Sequence, residues 1–226
     1  MRTDSASASA ALRVDFVSDI TCPWCAIGLE GLLQAIARLG GEVPVELHLQ
    51  PFELNPDIAD EGEPIADYAA RKYGASSAQL AQRQSLVRGR AAELGLDFRE
   101  RTHVYNTFDA HRLLHWSVPR RRALDVKRAL LRAYHERGEN PASPGVLLAA
   151  AQEAGLDRLE AGDMLGRGTF GREVRTIVRQ WQGLGISGVP TTVIDGRPAL
   201  EGGQAPAVFE AALRDAAQRR RRPQAG

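Results

Sequence analysis

Ser18-Asp19-Ile20-Thr21-Cys22-Pro23-Trp24-Cys25 contains both cysteines of this 226-residue chain. Before it, Val14-Asp15-Phe16-Val17 is short, apolar and β-branched, the pattern of a buried strand. After it, Ile27, Leu29, Leu32, Leu33, Ile36 and Leu39 recur at helical spacing until Gly40-Gly41 ends the run. The octapeptide therefore joins a strand end to a helix start. Zinc ribbons also use Cys-x-x-Cys, but they need a second such pair. Two thiols are likewise too few for a disulfide framework or a four-cysteine metal site. What remains is a dithiol at a helix N-terminus, where the dipole and unpaired N–H groups favour the thiolate. Thiols so placed titrate at roughly 3.5–7.5. Cys22 is expected to attack. Pro23 suits the first helical position, and Trp24 adds an apolar flank. Cys25, one turn on, is expected to be more buried and to resolve a mixed disulfide at the Cys22 sulfur.

Outward from this segment, Val43, Val45, Leu47 and Leu49 alternate with Pro44, Glu46, His48 and Gln50, which predicts a half-buried second strand. From Pro64 to Gly166 the chain is rich in Ala, Leu, Arg, Glu and Gln, with almost no strand signal. Helices are expected over 64–73, 76–94, 107–117, 121–137, 144–155 and 157–165, punctuated by Pro and Gly. Helix 170–183 follows. Strands at Thr191–Ile194 and Arg197–Glu201 flank Asp195-Gly196, a strong hairpin signal. A last helix opens after Pro206 and runs to about Gln218. Every expected strand thus lies in 13–55 or 168–218. This order reads as an α/β protein, a thioredoxin-like fold interrupted by an inserted all-helical domain. The expected division is a disordered leader (1–12), a discontinuous thioredoxin-like domain (13–60 and 168–218), a helical insertion (61–167) and a disordered basic tail (219–226). Pro190 opens a strand after a Gly-rich turn; it reads either as an ordinary trans proline at a strand start or, as thioredoxin-like folds imply, as a cis proline set against the redox pair. The backbone of Val189 would then pair with a bound peptide by strand addition.

The segments Ser18–Cys25, Pro51–Pro56 (PFELNP), Asn106–Leu113 (NTFDAHRL) and Gly188–Gly196 (GVPTTVIDG) resemble the DsbA family, and more narrowly its FrnE-like branch, over residues 13–217. The resemblance implies a protein thiol–disulfide oxidoreductase or isomerase with Cys22 as nucleophile, Cys25 as its partner and Pro190 as the cis proline. Classical periplasmic members carry a His between the cysteines. Here Pro23-Trp24 stands there, which argues against a strongly oxidising pair. A sister branch, the kappa-class glutathione transferases and 2-hydroxychromene-2-carboxylate isomerases, shares the helical insert. It uses a Ser to hold a glutathione thiolate where this chain has Cys22. A glutathione-dependent transferase or isomerase is therefore one alternative, and a non-catalytic peptide-binding module is another.

Asn106, His111, Arg112 and His115 are read as one helical cluster. His111 either packs between the insert and the thioredoxin-like part or faces the Cys22 pocket and tunes its thiolate. A metal site would need a third ligand, and none is identifiable. Asp19 and Glu53 lie near strand ends and are either capping carboxylates or relays for the Cys25 proton. Ser18 reads as a turn residue, and Trp116 and Trp181 as packing. With 29 basic and 28 acidic residues, no global field points to nucleic acid. The runs Arg120–Arg122 and Arg219–Arg222 read as a solvated face and a tail. No apolar run approaches the ~18 residues of a membrane span. Residues 1–12 lack the apolar core of a secretory signal, so a cytoplasmic location is expected. The expected partners are protein or small-molecule thiols and disulfides, with glutathione as a candidate thiol, no cofactor beyond the redox disulfide, and a monomer or homodimer.

Overall fold

The computed structural model describes residues 11–221. In chain order they form β1 (Leu12–Ser18), α1 (Pro23–Leu39), β2 (Val45–Pro51), β3 (Glu63–Pro64), α2 (Ile65–Tyr73) and α3 (Ser77–Ala92). Next come β4 (His103–Val104), α4 (Phe108–Ser117), α5 (Ala123–His135), α6 (Pro144–Glu153), α7 (Arg158–Gly166) and α8 (Gly171–Gly183). β5 (Thr191–Ile194), β6 (Arg197–Glu201) and α9 (Pro206–Arg221) end the described chain.

The main sheet has the order β2-β1-β5-β6. β1 lies inside it because Val14, Phe16 and Val17 are apolar to both faces and fully buried. Buried Asp15 is tolerated there because Arg13 donates to it at 2.8 and 2.7 Å and Gln50 at 2.6 Å. β2 runs parallel to β1 with Ser18 opposite Pro51, so the Cys22 segment and the Pro51–Pro56 loop leave the same end of the sheet. β5 runs antiparallel to β1, which brings Thr191, just after Pro190, opposite Val17. Asp195 and Gly196 turn the β5–β6 hairpin with φ of 51° and 76°, the left-handed pair an Asp-Gly turn favours.

The fold is α/β and thioredoxin-like, as expected. α1 and α9 pack against each other, and α8 lies against β2. The main apolar core, built around Phe16, Leu29, Leu32 and Phe209, also takes in Val87, Ala91, Phe98 and Leu131 from α3 and its surroundings and from α5. A second core joins α4, α5, α6 and α7 and includes Ile20 of the cysteine loop.

Three local expectations need correction. The insert is not all helical: β3 and β4 form a two-stranded antiparallel ladder, Glu63 opposite Val104 and Pro64 opposite His103. Two-residue strands carry no periodicity, so hydropathy does not reveal them. Leu12, expected in the leader, is the first residue of β1 and buried. Residues 219–221, expected in a tail, extend α9. Arg220 donates to both carboxylate oxygens of Asp195 at 2.6 and 2.5 Å and to the Ala11 carbonyl at 3.0 Å. The rest of the expected leader (1–10) and tail (222–226) lies outside the described residues.

Candidate active site

Cys22 caps the N-terminus of α1 in an extended conformation (φ −82°, ψ 113°). Its carbonyl accepts the N–H groups of Cys25 and Ala26 at 3.1 and 3.4 Å. Pro23 occupies the first turn, which holds no acidic residue, so no carboxylate of the helix itself cancels its dipole at the thiol. Both thiols are free. Cys22 is 5% exposed and Cys25 0%. The Cys22 thiol donates to the Val189 carbonyl at 3.6 Å, and the Val189–Pro190 peptide is cis. The Asp19 N–H donates to Cys25 Sγ at 3.4 Å.

The surroundings separate the two thiols. A hydrogen bond from Cys25 holds Cys22 below the ordinary thiol value, aided by the N–H groups of Cys25 and Trp24, against burial and the Asp19 charge. Burial, then the bond to Cys22 and its charge, push Cys25 well above that value. Cys22 therefore ionises first, and Cys25 keeps its proton.

Asp19, 1% exposed, organises the layer beneath. Its carboxylate accepts the N–H of Ile20 at 2.6 Å and of Leu54 at 2.8 Å, and His111 Nε2 stands 3.4 Å away. Burial pushes this carboxyl up, but His111, the Leu54 N–H and the Thr107 hydroxyl together hold it below the usual range. The Pro51–Pro56 and Asn106–Leu113 segments thus meet at Asp19. Glu53 lies near the same group, its carboxyl pushed up by burial, and by the Asp19 charge against that of His111. Asn106 reaches no thiol. It precedes α4, donates to the Pro56 and Ile58 carbonyls at 3.3 and 3.0 Å, and accepts the Phe108 N–H at 2.8 Å. Arg112 donates to the Thr169, Met164 and Leu165 carbonyls at 2.8, 3.0 and 3.0 Å, tying down the end of α7. His115 packs beside Phe170, and Trp116 is buried in the second core. Trp181 packs near Val17 and Phe52. Ser18 is fully buried at the end of β1. Among the described residues no group of three or more His, Cys, Asp or Glu could hold a metal ion.

Cys22 opens onto a groove of about 370 Å³. Thr21, Trp24, Gly188 and Val189 line the side of the pair; Tyr68 and Tyr73 of α2, Arg83 and Leu86 of α3, and Arg101 form the opposite wall. Tyr68 and Lys72 both donate to the Asn55 side chain, at 2.7 and 2.8 Å, fastening α2 to the Pro51–Pro56 loop. Gln84 brackets the Arg101 backbone at 2.8 and 3.2 Å. Sequence reading did not foresee this wall, whose residues are scattered over α2, α3 and a loop. It also missed Lys127, fully buried on α5. Burial lowers the Lys127 ammonium, against the charges of Cys25, Asp19 and Cys22. A signal existed, since Leu124, Lys127, Leu131 and Tyr134 follow one helical stripe.

A dithiol at a helix N-terminus, set against a cis proline on a thioredoxin-like sheet, defines a class of redox proteins. The family model for the DSBA-like thioredoxin domain matches residues 13–214, and the chain belongs to that DsbA-like family of thiol–disulfide oxidoreductases and isomerases. A probable DsbA oxidoreductase from Streptomyces coelicolor is 32% identical, with a TM-score of 0.85 over 94% of this chain and 92% of that one. A 2-hydroxychromene-2-carboxylate isomerase is 15% identical, with a TM-score of 0.69 over 92% and 98%. The cytosolic disulfide reductase DsbM of Pseudomonas aeruginosa, solved with GSH, is 21% identical, with a TM-score of 0.58 over 92% and 100%. These last two likenesses concern the fold. No curated protein matches the chain at a significant level. Among the described residues no helix is long and apolar enough to cross a membrane.

Proposed function

We propose that the chain is a cytoplasmic, FrnE-like thiol–disulfide oxidoreductase that uses Cys22 and Cys25 as its redox pair. The observation that carries this reading is the division between the thiols: Cys22 is acidified at the mouth of a groove, and Cys25 is fully buried and protonated behind it. The Cys22 thiolate attacks a substrate disulfide RS–SR′, forming Cys22–S–SR and releasing R′S⁻. Cys25 then gives up its proton and attacks the Cys22 sulfur. The Cys22–Cys25 bond forms, RS⁻ leaves, and two electrons have passed to the substrate. Two substrate thiols return the pair to the dithiol by the reverse steps. The Val189 backbone, beside Pro190, is proposed to hold the substrate chain, with Pro23 and Trp24 as the apolar flank. Asp19, supported by His111, is proposed to set the charge beneath the pair.

The groove favours a small acidic thiol as one partner, since Arg83 and Arg101 are the charged residues of its lining and no carboxylate stands among them. Glutathione fits this description, and DsbM is a fold neighbour solved with GSH. No other cofactor is proposed. The test is trapping. Cys25→Ser should accumulate a Cys22 mixed disulfide with glutathione or a client, visible by mass spectrometry, whereas Cys22→Ser should accumulate none. If Cys22→Ser retains full activity, the redox reading fails. A saturable glutathione complex that turns over an aromatic electrophile without any disulfide would favour the transferase or isomerase reading.

A further inference from the structure

A second cavity, of about 540 Å³, shares no lining residue with the groove in front of Cys22. Its walls come from β2, α4 and α5, with Ile177 of α8 and Arg121 before α5. Leu47, Leu49, Leu114, Leu124 and Ile177 give it an apolar surface. Set into that surface are Lys127 and His111, each 1% exposed. Among the described residues Lys127 makes no hydrogen bond or ion pair, and Nδ1 of His111 has no partner. A buried ammonium with no directly bonded partner is costly, and Asp19 and the two thiols act on this one only through their charges, without a hydrogen bond or ion pair. The cavity does not offset it from within. His48, His115 and Arg121 also line it, against one carboxylate, Glu46, which already pairs with His48 at 3.0 Å. The volume falls in the range of small-molecule sites, roughly 300–1,000 Å³, which combine an apolar lining with a few fixed polar groups.

We propose that this cavity binds a small organic carboxylate with an apolar body, its head on Lys127 and His111 and its body among the leucines. Unlike the redox reading, this site makes no use of the cysteines. The probe is 2-naphthoate, with the neutral 2-naphthylmethanol as control, titrated calorimetrically into the reduced full-length protein. Saturable one-to-one binding of the naphthoate is expected, with the alcohol at least about tenfold weaker, the range of a hydrogen bond to a charged group. In Lys127→Met the preference should vanish, and Lys127→Arg should restore much of it. Leu124→Trp should fill the cavity and abolish binding, whereas Cys22→Ser should still bind the naphthoate saturably. Amide shifts on the unmodified protein give the same answer without a variant. Naphthoate should move the resonances of Leu47–Gln50 and Leu124–Lys127. Absence of saturable binding, equal affinity for the alcohol, loss of binding in Cys22→Ser, or shifts confined to Thr21–Trp24 would each overturn the proposal.

Discussion

The nucleophile's acidity depends on a balance that single substitutions can shift. Cys22 gains from the Cys25 hydrogen bond and two helix N–H groups and loses to burial and, after it, to the Asp19 charge. Its alkylation by iodoacetamide should therefore be half-maximal below the ordinary thiol value of about 8.5, with Cys25 unreactive at that pH. Asp19→Asn removes an opposing charge, so the Cys22 profile should move to lower pH. The same change should cost about 1–3 kcal/mol in urea unfolding at neutral pH, because the amide nitrogen then faces the N–H of either Ile20 or Leu54 and leaves it without an acceptor. The sign is fixed by the folded-state carboxyl, which lies below its ordinary value. The stability it contributes is present above the unfolded value and fades as pH falls through the folded one. An alkylation profile that stays put in Asp19→Asn would separate Asp19 from the thiols. At this scale the position of Cys22 and Cys25 at a helix start was legible, because strand, motif and helix adjoin in sequence, and the cis Val189–Pro190 peptide followed from the expected fold. Lys127 and His135 were not read, because burial of a charged or titratable group on an amphipathic helix depends on what packs across from it.

At the level of elements, close approach of α1 to the chain around residues 190 and 203 holds the site together. A Cβ on Gly28 would lie 3.2 Å from Pro190 Cγ, and one on Gly203 would lie 2.8 Å from the Trp24 carbonyl oxygen. A Cβ on Gly31 would come within 2.7 Å of the Gln204 carbonyl oxygen, at the start of the α1–α9 contact. Gly203→Ala and Gly31→Ala should each lower stability by about 1–3 kcal/mol, the usual cost of overpacking. Only Gly203→Ala presses on the Cys22–Cys25 turn, so only it should also change the Cys22 alkylation profile. Equal thiol profiles in the two variants would contradict this division. Helices with strong periodicity and the Asp195-Gly196 hairpin were readable as elements. The β3–β4 ladder was not, since it comprises two residues on each side. The end of α9 was misjudged because its arginines look solvated in sequence, while Arg220 is fixed by a carboxylate 25 residues earlier.

Across the whole molecule, the helical segment is coupled to the redox loop through buried polar contacts. His135 of α5 donates from Nε2 to the Ile20 carbonyl at 3.0 Å and stacks on Phe98. Burial, followed by the Arg101 charge, pushes its imidazole down to about 3. The unfolded chain takes up a proton near 6.5 that the folded protein refuses until about 3. Stability should therefore fall as pH drops through that window, by at most about 5 kcal/mol at 1.36 kcal/mol per unit. His135→Gln should flatten the slope of unfolding free energy between those limits. An unchanged slope would show that other groups carry the acid sensitivity. The thioredoxin-like order of strands was visible from patterning because each strand sits beside a strong turn or motif. How the insert meets the sheet was not, because it rests on contacts between residues some 80–115 positions apart, such as Arg101 with Thr21 and His135 with Ile20. The proposed chemistry requires Cys22 and Cys25 to form one reversible redox couple. Equilibrating the protein against glutathione buffers and counting free thiols tests it most directly. A single two-electron transition is expected, nearer the roughly −270 mV of thioredoxin than the roughly −120 mV of DsbA, and no such transition in Cys22→Ser. Thiols that stay reduced across the whole buffer range would contradict it.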